Sequence, residues 1–163
     1  YELWWALGWP YETSVAMYRL VFSGIFEELP GLNILVHHGG GLIPMVEERL
    51  GSGLEVYGSR TPPELAEKAN TPLKGKPLAG SKQFYADAAT FGSKASLPCA
   101  GDFFGWDRIL FASDMPFDPE HGPGYIRETL RAIDSIGLED ASRQKVFSGN
   151  IRRLMKHQSK SLI

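Results

Sequence analysis

The stretch Asn33-Ile34-Leu35-Val36-His37-His38 constrains the fold more than any other part of the chain. It is apolar, it does not alternate, and it stops at three consecutive glycines, Gly39, Gly40 and Gly41. A short apolar run of this kind suits a strand buried on both faces, and such strands belong to parallel sheets covered by helices. Two later runs repeat the pattern: Phe84-Tyr85-Ala86-Asp87-Ala88, and Arg108-Ile109-Leu110-Phe111-Ala112-Ser113 leading into Asp114. Between and around them the apolar spacing turns helical. Helices are expected over Thr13 to Leu29 (capped by Thr13 or Ser14, stopped by Pro30-Gly31), Ile43 to Leu50, Ser93 to Phe103, Pro123 to Ile136 and Glu139 to Lys156. Residues 51–82, rich in Gly and Pro, read as loop with one short helix at Thr61-Pro62-Pro63-Glu64. Strands alternating with helices predict an α/β fold with about three parallel strands and flanking helices.

Composition narrows the partners. The 163 residues fit one unit with a real core, and 17 basic against 19 acidic side chains leave a net charge of −2. That balance argues against nucleic acid as a partner. No run of 18 apolar residues occurs, so no membrane span is expected. Cys99 is the single cysteine, which fits a reducing compartment and points to the cytoplasm. The 18 Gly and 11 Pro exceed ordinary usage, while an apolar fraction of 43% excludes disorder; the excess belongs to turns. The chain starts at Tyr1 without Met or a signal-peptide pattern, so it is expected to be processed or a piece of a longer protein.

Two places carry chemistry, and both sit at the C-terminal ends of strands, where parallel α/β folds keep their sites. The first is His37-His38 before the glycines. Strand alternation predicts that one imidazole faces the mouth of the sheet and the other turns away. A histidine there serves as general base or metal ligand, or simply as a hydrogen-bonded core residue. The second is Asp114 in Ser113-Asp114-Met115-Pro116-Phe117-Asp118. A carboxylate directly after an apolar run needs a metal, a cation or hydrogen-bond donors, unless it merely caps a turn. Asp87 reads as a supporting carboxylate or a capping one, Arg49 as an anion binder or, preferably, a partner of Glu47 or Glu48, and His121 and His157 as solvated. Trp4, Trp5, Trp9 and Tyr11 form an aromatic cluster that either lines a pocket or makes a sticky patch, and Trp106 is expected to pack ahead of the third strand. Other uses of the glycines fail on spacing. Pro44 stands where a dinucleotide fingerprint wants its last glycine, no G-x-S-x-G elbow accompanies the His-Gly-Gly-Gly, and no Gly-Lys-Ser/Thr occurs.

Taken together, several ordered segments resemble the amidohydrolase-related enzymes, the group that includes aminocarboxymuconate-semialdehyde decarboxylase and γ-resorcylate decarboxylase. They are Gly24-Ile25-Phe26 through His37-His38-Gly39-Gly40-Gly41, Phe84-Tyr85-Ala86-Asp87, Asp107-Arg108 through Asp114-Met115-Pro116-Phe117, and Gly149-Asn150 with Arg153-Leu154. The resemblance implies a TIM (β/α)8 barrel with one divalent metal at its mouth, zinc as the first expectation and manganese as the second. It implies His38 as a catalytic acid/base and Asp114 as metal ligand and participant in proton transfer. His37 is left without a role. The family also has an H-x-H pair on its first strand and a further metal-binding His. This chain has neither, and such a barrel usually needs ~250 residues. The chain is therefore expected to be the C-terminal portion of the barrel, about two-thirds of it, with a metal absent if the chain stands alone.

The implied activity is metal-dependent decarboxylation or hydrolysis of a small aromatic or unsaturated carboxylic acid by a cytoplasmic homo-oligomer. Two alternatives remain: a catalytically incomplete fragment acting as a self-associating structural module, and a phosphate-binding module built on the glycine turn.

Overall fold

The computed structural model describes residues 1–56, 58–65 and 71–158. The chain opens with a π-helical turn, Trp4–Gly8, that runs into α1 (Trp9–Phe22), with Pro10 in its first turn where a missing N–H costs nothing. Then follow α2 (Ile25–Glu28), β1 (Leu35–Val36), 3-10 turns at His38–Gly40 and Pro44–Val46, and α3 (Glu47–Leu54). After these come α4 (Pro77–Ser81), β2 (Tyr85–Asp87), α5 (Ser96–Phe104), a 3-10 turn at Trp106–Arg108, and β3 (Ile109–Leu110). The chain continues with α6 (Pro123–Ser135) and α7 (Asp140–Gln144), then a π-helical segment, Lys145–Gly149, that passes directly into α8 (Asn150–Gln158).

The three strands form one parallel sheet in the order β1-β2-β3, so the expected α/β class with three parallel strands and flanking helices is what the chain adopts. Leu35 sits beside Tyr85 and Val36 beside Ala86, while Ala86 pairs with Ile109 and Asp87 with Leu110. The central strand is buried on both faces, and Phe84, Ala86 and Ile109 are fully enclosed with Met17, Val21, Leu97 and Ile133 around them. Phe26 meets Phe84 edge-on at 4.9 Å between ring centroids. Each large apolar side chain so enclosed stabilises the fold by ~1.5–3 kcal/mol.

The departures from expectation have identifiable causes. The helix expected over Thr13 to Leu29 starts earlier and breaks at Gly24, whose φ of +71° is left-handed. Neither Thr13 nor Ser14 is a cap. Ser14 lies inside α1, where its hydroxyl donates to the Pro10 carbonyl (2.7 Å) and accepts the Leu42 N–H (2.8 Å). That hydroxyl clips α1 to the glycine turn. Leu35 is half-exposed, on the side of β1 that pairs with no strand among the described residues. In the segment read as loop, α3 extends to Leu54, α4 is an extra helix, and a 3-10 turn stands at 63–65. The last helix contains a π-helical segment whose Val146 carbonyl accepts the Phe111 N–H (2.9 Å), extending β3 into the helix. No helix among the described residues is long and apolar enough to cross a membrane.

Candidate active site

The loops leaving all three strands meet at one end of the sheet. After β1, the backbone needs glycine. Gly40 has a φ of +83°, and a Cβ there would lie 2.6 Å from the Phe104 ring; at Gly41 (φ +64°) it would lie 2.5 Å from the Pro10 carbonyl oxygen. This close approach packs the turn under α1 and sets the two histidines at its edge.

Four non-glycine residues in these loops are also left-handed: His38 (φ +54°), Phe91 (φ +53°), Asp114 (φ +64°) and, at the far end of the third loop, His121 (φ +58°). Such conformations are uncommon outside glycine and cost roughly 1–3 kcal/mol each. The first three, one from each loop, line the same cleft. That cleft has a volume of about 470 Å³, and its walls are largely aromatic: Trp4, Trp5 and Trp9 on one side, Phe91, Phe117 and Tyr125 on the other. A second, more polar recess of about 390 Å³ adjoins it, lined by Trp9, Glu12, Thr13, His37, His38 and Asp114. The sizes suit a small aromatic ligand.

His38 and Asp114, singled out from sequence, are therefore brought together. His38 Nδ1 lies 2.9 Å from the Ala89 carbonyl oxygen. A carbonyl only accepts, so Nδ1 carries the hydrogen, and in the neutral ring Nε2 is left as the accepting nitrogen. His37 corrects the expected alternation. The strand ends at Val36, so His37 does not turn away; it lines the polar recess with its ring edge-on to that of His38, 4.4 Å between centroids. Its Nε2 lies 2.6 Å from the Thr13 hydroxyl. Burial and then the neighbouring His38 push the His37 pKa down, against the pull of Asp87 and Asp114.

Asp87 accepts from backbone N–H groups, as its capping reading expects. It is buried at the end of β2, and its Oδ1 accepts the Ala89 N–H at 3.0 Å. It also takes the Gly39 N–H, so one carboxylate ties the loop after β1 to the loop after β2. Burial raises its pKa, opposed by these N–H groups and by both histidines. The remaining residues fall outside the site. Arg49 lines a separate surface recess, and Glu47 pairs with Lys82 (2.5 Å) instead of Arg49. His121 is exposed in its loop, Trp106 packs against Gly101 ahead of β3, and the side chain of His157 lies outside the described residues. Phe91 and Tyr125 escaped the sequence reading; the one sign of Phe91 was its place just after the second apolar run.

Among the described residues, no group of three or more His, Cys, Asp or Glu side chains is placed to hold a metal ion. A catalytic metal takes about three protein ligands, so the donors within this chain do not complete a site, and Asp114 is the one carboxylate offered at the mouth of the aromatic cleft.

Comparison with known proteins follows the same lines. The amidohydrolase family model matches residues 1–156. Among curated relatives, a 2-amino-3-carboxymuconate-6-semialdehyde decarboxylase of Dictyostelium discoideum is 26% identical over 92% of this chain and 38% of its own length. A gamma-resorcylate decarboxylase of a Rhizobium species is 29% identical over 93% of this chain and 44% of its own. Among solved structures, a dihydroxybenzoic acid decarboxylase of a Polaromonas species, with bound manganese and the inhibitor 2-nitroresorcinol, superposes with a TM-score of 0.71. It is 28% identical and covers 90% of this chain and 40% of its own. The chain thus spans about two-fifths of the length of these relatives, less than the two-thirds expected from a bare barrel.

Proposed function

This chain belongs to the amidohydrolase family, and from that premise we propose that the protein carrying it is a metal-dependent decarboxylase of a small aromatic carboxylic acid. The observation that carries the reading is the convergence of His38 and Asp114, each strained and each at a strand end, on one cleft walled by aromatic rings. The chain would form the closing βα units of the barrel, with further units supplying the other metal ligands. Asp114 would give one oxygen to a divalent metal; zinc and manganese both accept it, and the Polaromonas relative holds manganese.

The residues in hand have definite tasks. The aromatic walls bind the ring of the acid and exclude water. His38, its Nδ1–H held by Ala89, presents Nε2 to the cleft and moves a proton there. Decarboxylation needs a proton delivered to the ring carbon that bears the carboxyl group; the bond to that group then breaks and CO₂ leaves. Decarboxylation is preferred to hydrolysis because the three relatives named above are decarboxylases. We extend the reading to a cytoplasmic homo-oligomer: Cys99 is a free thiol, and Leu3 and Leu7, outside the cleft lining, leave apolar surface open for contact.

The test is CO₂ release from 2,6-dihydroxybenzoate and related acids by the complete protein with manganese or zinc supplied. His38→Asn and Asp114→Asn should each lower kcat by ~10²–10⁴-fold. Activity within threefold of the parent in both variants would sink the assignment.

A further inference from the structure

A third, smaller cavity of about 220 Å³ lies beside the aromatic cleft. Its far side is made by the glycine turn and by Leu42, Met45 and Cys99. The two cavities share four lining residues: Ala6, Pro10, His38 and Phe91. Of these, Ala6 and Pro10 are small and His38 is the proposed proton carrier. Phe91 is the one large apolar side chain in the common wall.

The ring of Phe91 is held from both sides. It packs against His38 at 5.2 Å and against Tyr125 of α6 at 4.7 Å between centroids. Its backbone sits at φ +53°, a conformation that a bulky side chain disfavours and glycine adopts freely. The next residue, Gly92, is also left-handed at φ +80°, with Glu128 of α6 so close that a Cβ would fall 2.8 Å from the Glu128 Cβ. The loop is therefore seated on α6 and keeps the ring in place against its own backbone preference.

We propose that Phe91 is a specificity-determining partition. It closes the aromatic cleft at the size of a single ring and shuts off a side pocket that would otherwise take a second fused ring or a bulky apolar substituent. The side pocket is apolar on most of its surface, with the hydroxyl-bearing Thr90 and Ser96 at its margin, so the group it would take is hydrocarbon. The inference rests on the proposed aromatic-acid site but not on the fate of the carboxyl group, and binding alone reads it out.

The experiment uses the complete protein and two probes, salicylate and 1-hydroxy-2-naphthoate. Binding is followed by quenching of the tryptophans that line the cleft, Trp4, Trp5 and Trp9. Phe91→Gly removes the ring and suits the left-handed backbone, so the fold is kept. It should shift the ratio of the two dissociation constants toward the naphthoate by about tenfold, the discrimination typical of apolar pockets. Phe91→Trp enlarges the partition and should move the ratio the opposite way. A ratio within twofold of the parent in both variants overturns the partition, and so does failure of every form to bind either acid. Normal shifts in the ratio from a protein that releases no CO₂ would sustain the partition and remove the decarboxylase reading.

Discussion

The two ends of the sheet are built differently. At the end where the strands begin, polar groups are tied to one another. Asn150 is fully buried, and its amide donates to the carbonyls of Trp106 (2.8 Å) and Ile109 (2.7 Å). Arg108 donates to the Gln83 carbonyl (2.7 Å) and lies over the Tyr85 ring, and Lys145 pairs with Asp107 (2.7 Å). At the end where the strands finish, three left-handed residues and a row of aromatic side chains face an open cleft. The first end stabilises; the second accepts strain and exposed apolar surface in return for a place where a ligand can sit. The division is the one expected of barrels, whose catalytic groups stand at the C-terminal face.

The comparison can be broken by substitution, and the largest effect on stability should come from the first end. Asn150→Ala leaves two buried carbonyls without their donor, which should cost about 2–4 kcal/mol. Asp114→Asn, at the other end, should change stability by no more than ~0.5 kcal/mol, because asparagine tolerates the left-handed backbone. Urea unfolding of the complete protein with its metal removed by a chelator checks both, since a bound metal would add its own stability at Asp114. Equal losses would erase the distinction between the ends.

An intermediate effect is expected at Asp87, where the two ends are joined through β2. Its pKa is raised by burial, so the folded state holds the proton more tightly than the unfolded chain does. The contribution of this group is fully present below the ordinary carboxylate range and is lost as pH rises through the folded value. Asp87→Asn cannot ionise but still accepts from Ala89. The stability of Asp87→Asn relative to the parent should therefore improve as the pH is raised from acid toward neutral, as measured by thermal unfolding across that range. A difference independent of pH would show that Asp87 is not desolvated in the folded protein.

The smallest effect belongs to the exposed Lys145–Asp107 pair. Lys145 holds the Asp107 carboxyl below its usual range through their hydrogen bond, yet both side chains are about half-exposed. Lys145→Ala should cost about 0.5 kcal/mol or less, and the cost should fade at high salt. A loss above ~1.5 kcal/mol that persists in salt would give the pair a structural weight that the geometry does not suggest.

How much of this was legible from residues alone follows from the kind of signal each feature leaves. β2 and α6 were read almost to the residue, because Phe84-Tyr85-Ala86-Asp87 is enclosed on both faces and Ile126, Leu130 and Ile133 mark one helical face. The break at Gly24 was missed because the apolar spacing continues across it; only the backbone angle changes hand. Ser14 looked like a cap because its chemistry is that of a cap, and the structure spends its hydroxyl on Leu42, 28 residues away. His38 and Asp114 were found because an ionisable residue beside an apolar run stands out. Asp87 has the same signature, and its partners are backbone N–H groups that a sequence does not display. Phe91 leaves only its position just after the second apolar run. A phenylalanine in a left-handed loop looks like any other phenylalanine until the cavities on either side of it are seen.

The carboxylate of Asp87 has one more consequence. Its Oδ1 accepts the Ala89 N–H, and the carbonyl of the same Ala89 receives the His38 imidazole. One residue of the loop after β2 thus passes the grip of a buried carboxylate on to the histidine. A change that loosened Asp87 would be felt at the His38 ring without touching it.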